Sequence, residues 1–206
     1  MDSPQTIGIF GGTFDPVHIG HLMLAKDLVD ALALDRLYLV PNQVSPFKLG
    51  EARTSAHHRV AMLHLAVAGE ERLAVSDVEV RRPPPSYTVD TLRHFHDLHP
   101  SARRFFILGA DNLRDLHHWR EVEALFDLAE IRVMARPGFE LAKVDPESLR
   151  LPPGRAVELL RTALQTRLVP VSSTEIRALA TERKSLNGLV PGAVADYISQ
   201  NHLYQG

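Results

Sequence analysis

The stretch "GGTFDPVHIGH", Gly11 to His21, sets glycines, a proline and two histidines directly after the apolar run "TIGIF". His18 and His21 are three apart, so on a helix both face one side of its first turn. Glycines just before them let backbone approach a phosphate closely, and a helix start adds unpaired N–H groups and partial positive charge. Two imidazoles at such a positive end suit oxyanions and make a poor cation site. His18 and His21 are therefore read as donors to polyphosphate, not as bases or metal ligands. The stretch lacks the G-x-x-x-x-G-K lysine of a P-loop and is not a G-x-G-x-x-G fingerprint, so the residues alone reach an anion site and stop there. Far along the chain, "VSSTEIR" offers similar chemistry: Ser172 to Thr174 bring hydroxyls and an N-cap, and Arg177 projects from a first turn where a guanidinium grips two phosphate oxygens.

Such residues meet only if the chain carries them to one edge of a sheet. Apolar β-rich runs alternate with stretches of helical period, the pattern of an α/β parallel sheet flanked by helices. Strands are predicted at Thr6 to Phe10, Arg36 to Val40, about Leu73 to Val75, Arg104 to Leu108, Ile131 to Ala135 and Leu168 to Val171. A helix from near Ile19 places Leu22, Ala25, Val29 and Leu32 on one face, making a βαβ unit with the first two strands. Further helices are predicted at about Ser55 to Ala68, Thr88 to Leu98, Leu113 to His118, Arg155 to Thr166, Thr174 to Ala180 and Pro191 to Gln200. Prolines make functional surface loops of "VPNQVSPFKLGEART" and "RRPPPSYT", and the Pro-rich segment from Pro137 to Val157 reads as a peripheral excursion. In a parallel sheet, ligands bind beyond the carboxyl ends of strands, which puts Gly11 to His21 at the mouth of the expected pocket.

At 206 residues the chain fits a single domain, 1–206, with a C-terminal helical subregion at about 172–206. Lys and Arg total 23 against 25 Asp and Glu, a formal net charge of −2. No broad field points to nucleic acid or a membrane as partner, and any basic site must be local. The chain has no cysteine, which excludes disulfides, thiolate nucleophiles and Cys-based zinc sites. The start "MDSPQ" has no apolar core, and no apolar run approaches the roughly 18 residues that span a bilayer, so a cytoplasmic protein is expected. His57, His58, His64, His94, His96, His99, His117 and His118 lie on separate predicted helices and read as surface or capping residues; no metal site is assigned. Asp15 is read as shaping its turn.

The whole of "GIFGGTFDPVHIGH" resembles the H-x-G-H signature of the nucleotidylyltransferase superfamily, in the form found in nicotinate mononucleotide adenylyltransferases. "VSSTEIR" is similar to that family's I-S-S-T-x-I-R element. Between them, "VPNQVSPFK", "PSYT" (Pro85 to Thr88), "ILGAD" (Ile107 to Asp111), "HHW" and "RPG" (Arg136 to Gly138) match further family elements, so the resemblance spans essentially the whole chain. One departure stands out. Where the family usually reads P-P-H-K, this chain has Ser45-Pro46-Phe47-Lys48: Lys48 keeps the phosphate-directed charge, and Phe47 cannot supply what a histidine would.

The resemblance implies a Rossmann-like, doubly wound parallel sheet with helices on both faces. It implies transfer of AMP from ATP to nicotinate mononucleotide, giving deamido-NAD and pyrophosphate, with Mg2+ arriving on ATP. His18, His21 and Arg177 would be the catalytic residues. Gly11, Gly12, Thr13, Phe14, Gly20, Lys48, Ser173 and Thr174 would join them around the phosphates, Gly109 and Asp111 would take the ribose, and Arg136 would lie against adenine. The amides of Tyr87 and Thr88 would receive the nicotinate carboxylate and Trp119 would stack on the pyridine. Rival readings are an adenylyltransferase acting on nicotinamide mononucleotide or another phosphate acceptor, and a nucleotide-binding regulator that has lost catalysis. Self-association into a homo-oligomer is expected of a small sheet enzyme.

Overall fold

The computed structural model describes residues 4–43, 54–135, 140–165, 167 and 169–205. Its strands are β1 (Thr6–Gly12), β2 (Arg36–Pro41), β3 (Leu73–Val75), β4 (Arg103–Gly109), β5 (Glu130–Ala135) and β6 (Leu164–Gln165). All pair in parallel, in the order β3-β2-β1-β4-β5-β6. The chain winds outward from β1 to one side and from β4 to the other. The switch point, where ligands bind in such sheets, therefore lies between β1 and β4.

Period-two alternation splits the apolar residues of each strand between two cores. Phe10, Leu37, Leu39, Phe105, Ile107 and Met134 face one side, where α1 (Ile19–Ala31), α2 (Ala56–Ala66), α7 (Ser173–Thr181) and α8 (Gly192–Gln200) pack. Ile7, Ile9, Val40, Phe106, Leu108, Ile131 and Val133 face the other. That side is covered by α3 (Val78–Arg81), α4 (Thr88–Leu98), α5 (Val122–Leu128) and α6 (Arg155–Arg161).

The structure adds two helices that the sequence reading lacks, α3 and α5, and departs from it elsewhere as well. Val169 to Val171 form no strand, because Pro170 has no N–H to give a ladder; Leu168 lies outside the described residues. The helix read as far as Thr166 ends at Arg161, and the chain then pairs with the free edge of β5 through Met134 and Leu164. The helix read over Leu113 to His118 is instead two 3-10 turns, Ala110–Asn112 and Leu116–His118. Their three-residue period buries both Leu113 and Leu116. Finally, the excursion after β5 is not wholly peripheral, since Leu149 is 0% exposed and packs in the second core.

Candidate active site

The turn after β1 passes through Phe14, which is buried and left-handed at φ 50°, and a cis Asp15–Pro16 bond. His18 then caps α1 in extended conformation. Its Nδ1 accepts the His21 amide at 3.3 Å, and the Nδ1 of His21 accepts the His18 amide at 3.3 Å, a capping box made of two imidazoles. The rings stack with centroids 3.7 Å apart at 26°, and the Phe14 ring meets His21 edge-on at 5.1 Å. The glycine between the histidines has a steric reason: a Cβ on Gly20 would stand 3.0 Å from the His18 ring. Because each Nδ1 accepts a backbone N–H, a neutral ring carries its proton on Nε2. Both histidines are thus fixed as Nε2–H donors at the positive end of α1.

The second motif lies directly on this turn. Ser172 caps α7 by accepting the Glu175 amide at 3.1 Å. Ser173 Oγ donates to Pro16 O at 3.0 Å, so this hydroxyl, expected on phosphate, ties the two motifs together. Arg177 donates through Nη1 to Asp15 O at 2.7 Å and through Nη2 to Thr174 Oγ1 at 3.3 Å. The guanidinium is thereby oriented against the backbone of the motif it was expected to assist.

Sequence reasoning missed Arg59, which is 1% exposed. It donates to Thr13 O at 2.8 Å, Asn42 O at 2.7 Å, Thr54 O at 3.1 Å and Gln43 O at 3.4 Å. One buried guanidinium therefore fastens the turn after β1 to the chain leaving β2 and to the approach to α2. The signal was present: Arg59 shares the buried stripe of α2 with Met62, Leu63 and Ala66, where a charge is out of place unless it has carbonyls to serve.

The expected acceptor elements gather on the other face. Tyr87 caps α4 and Thr88 opens it, which sets both amides at that helix's positive end. Trp119 follows the second 3-10 turn and meets Phe106 edge-on at 6.1 Å; the Arg120 guanidinium lies 4.8 Å from the Tyr87 ring centre, joining the two segments. Beneath the loop, Thr91 Oγ1 donates to the buried carboxylate of Glu79 at 2.7 Å and accepts from Arg82. Burial pushes the Glu79 carboxyl above the ordinary range, against the opposing pull of Thr91, Arg82 and Ser86. Ser86 in turn accepts the Gln43 amide at 3.3 Å, linking this loop to the end of β2. Gly109 ends β4, beside β1, and Asp111 lies in the 3-10 turn that follows. Lys48, Phe47 and Arg136 lie outside the described residues.

A six-stranded sheet with a histidine pair at its switch point and an arginine-bearing helix laid over the same turn defines a nucleotidyl-transferring class. In agreement, the cytidylyltransferase-like family pattern matches residues 9–179. The chain belongs to the nicotinate-nucleotide adenylyltransferase family within that class. It is 40% identical over 200 residues to a protein of Opitutus terrae named "Probable nicotinate-nucleotide adenylyltransferase", covering 97% of each chain. A Chromobacterium violaceum protein of the same name is 40% identical over 208 residues, covering 97% of this chain and 98% of its own. The fold matches that of Plasmodium falciparum nicotinic acid mononucleotide adenylyltransferase complexed with NaAD, with a TM-score of 0.73 at 23% identity and 97% of each chain covered.

Proposed function

We propose that the chain transfers AMP from ATP to nicotinate mononucleotide, giving deamido-NAD and pyrophosphate in NAD biosynthesis. One observation carries this reading: the stacked His18 and His21 donors share a single turn with Arg177, at the point where the sheet reverses its winding. The nucleophile is an oxygen of the acceptor's phosphate, anionic at neutral pH, so no general base is needed. That oxygen bonds to the α-phosphorus of ATP as the bridge to the β-phosphate breaks, and pyrophosphate leaves with the electron pair. The barrier lies in bringing two anions together and stabilising charge on the α-phosphate and the leaving group.

The chain's residues answer that need with donors. His18 and His21 present Nε2–H groups, His21 nearest the α-phosphate, while Gly11, Gly12, Thr13, the Phe14 amide and Gly20 line the path of the phosphates. Ser173 and Thr174, through the amides opening α7, join Arg177 and Lys48 on the β- and γ-phosphates. Gly109 and Asp111 take the ribose, and Arg136 lies against adenine. Mg2+ is expected as part of the substrate, where it supplies charge neutralisation on the triphosphate. A magnesium ion that arrives on the nucleotide keeps several waters of its own, and the Asp15 carboxylate of the turn receives its donors from Tyr204 and Thr54. On the acceptor side, backbone N–H groups of Tyr87 and Thr88 favour a carboxylate, because an uncharged amide offers weaker acceptors and turns its own NH2 toward them. Trp119 provides the stacking face for the pyridine.

Among the described residues no helix is long and apolar enough to cross a membrane. We assign the reaction to a single domain in the cytoplasm, with no nucleic-acid or membrane partner, and expect a homo-oligomer by light scattering. The test of function is pyrophosphate release with ATP and a panel of acceptors, with nicotinate mononucleotide expected to turn over fastest. Preference for nicotinamide mononucleotide overturns the acceptor assignment. Tight ATP binding without turnover of any acceptor overturns the enzyme reading in favour of a silent regulator.

A further inference from the structure

The Asp15 carboxylate is 5% exposed, and a carboxylate so placed must find donors within the protein. Its Oδ2 receives the Thr54 amide at 3.3 Å, and its Oδ1 receives the hydroxyl of Tyr204 at the shorter distance of 2.7 Å. The carbonyl of the same residue takes Arg177 Nη1 at 2.7 Å. One residue of the phosphate turn thus joins the guanidinium proposed for the phosphates to a phenol 189 positions away.

The segment after α8 is shaped to deliver that phenol. His202 and Tyr204 are both left-handed, at φ 51° and 64°, a conformation that non-glycine residues hold only when their surroundings impose it. Here the surroundings do so. Leu203 is buried in the core on the α1 side of the sheet, and the Tyr204 carbonyl takes the Thr181 hydroxyl at 2.7 Å from α7. Further back, Tyr197 of α8 is hydrogen-bonded to His58 Nδ1 of α2 at 2.9 Å. Burial, and the neighbouring Asp15 carboxylate, raise the Tyr204 hydroxyl well above the ordinary phenol range.

We propose that Tyr204 is a positioning residue for adenylyl transfer, acting through Asp15 to fix both the turn that carries His18 and the guanidinium of Arg177. The inference rests on the reading of that turn as the triphosphate site. In this role Tyr204 acts through Asp15 and not on the nucleotide or the acceptor directly. It sets where the donors stand, and displacement of a donor by a fraction of an ångström is felt mainly in turnover.

Tyr204→Phe tests this, because it keeps the packed ring and deletes the hydroxyl that binds Asp15. Turnover is expected to fall about tenfold, with KM for nicotinate mononucleotide within about twofold of the parent. Asp15→Ala is expected to lose at least as much, and adding Tyr204→Phe to it should cost nothing more, since the phenol then has no carboxylate to act through. Amide hydrogen exchange read on the same proteins needs no substrate. Exchange in the segments around residues 13–22 and 173–178 is expected to quicken in Tyr204→Phe, while α4 stays as protected as in the parent. Unchanged turnover, an additive double variant, or exchange quickened equally in α4 would overturn the proposal, the last by showing a loss of general stability. A parent protein that turns over no acceptor refutes the functional reading instead, and hydrogen exchange alone then decides whether the phenol fixes the turn.

Discussion

The two ends of the site are held in opposite ways. The phosphate turn is fastened by residues remote in sequence: Arg59 reaches Thr13 across 46 positions, Ser173 reaches Pro16 across 157 and Arg177 reaches Asp15 across 162. The acceptor loop shares one tie of that kind, from Gln43 to Ser86 across 43 positions, but its buried brace is local, with Thr91 12 positions from Glu79 and 9 from Arg82. The difference follows from what each end must do. Donors aimed at charge that develops during transfer need fixed positions, which long-range ties through the core provide. A loop that admits one substrate and releases a product gains from being able to loosen by itself. Phosphate-end substitutions should therefore act on turnover or on global stability, and acceptor-end substitutions on acceptor affinity.

The sharpest break in that contrast comes from His21→Ala. It removes one Nε2–H donor and half of the capping box, and kcat should fall about 10²–10³-fold with a much smaller change in ATP affinity. Pyrophosphate-release kinetics and nucleotide titration on the same variant read the two separately; equal losses in both would make His21 a binding residue only. Next in size is Arg59→Met, which leaves the carbonyls of Thr13, Asn42 and Thr54 without this donor inside the protein. At about 1–3 kcal/mol for an unsatisfied buried group, a loss of about 2–3 kcal/mol in unfolding free energy is expected by urea titration. A stable Arg59→Met with normal turnover would show that the phosphate turn holds its shape without this tie. On the acceptor side, Trp119→Ala should raise KM for nicotinate mononucleotide about tenfold through lost stacking, with ATP KM moving far less. If ATP KM rose equally, the two ends would be coupled and the contrast would fail.

How far each end was legible follows from the same difference. The strands β1, β2, β4 and β5 were legible because each is a run buried on both faces, and α4 was legible at both ends because Pro83 to Pro85 precede it and its apolar face recurs at Val89, Leu92 and Phe95. His18, His21 and Arg177 could be singled out because a βα turn and a capped helix announce themselves locally. Arg59 was legible only as a charge on the apolar stripe of α2, without its carbonyl partners, and Tyr204 not at all, since its carboxylate partner is brought near only by the folded topology. The misread strand at Leu168 to Val171 and the overlong helix to Thr166 share one cause. Both segments are apolar enough locally for strand or helix, but Pro170 and the open edge of β5 outweigh that content in the folded chain.

The smallest effect expected is the most diagnostic of the acceptor brace. Glu79 is buried beside Thr91, Arg82 and Ser86, and burial holds its folded-state pKa above that of the unfolded chain. A group shifted that way favours folding most when protonated. Its contribution is fully present below the ordinary glutamate range and is lost as pH rises through the raised value. Glu79→Gln keeps an oxygen to accept the Thr91 hydroxyl and cannot ionise, so it removes this dependence. The melting temperature of Glu79→Gln relative to the parent should therefore rise between about pH 4 and pH 8. A difference that instead falls across that range would mean that the Arg82 charge outweighs burial, and that the brace is an ion pair. A difference that rises while acceptor KM changes little would show that the loop is held by the hydrogen bonds of Thr91 and Ser86 and needs no charge on Glu79.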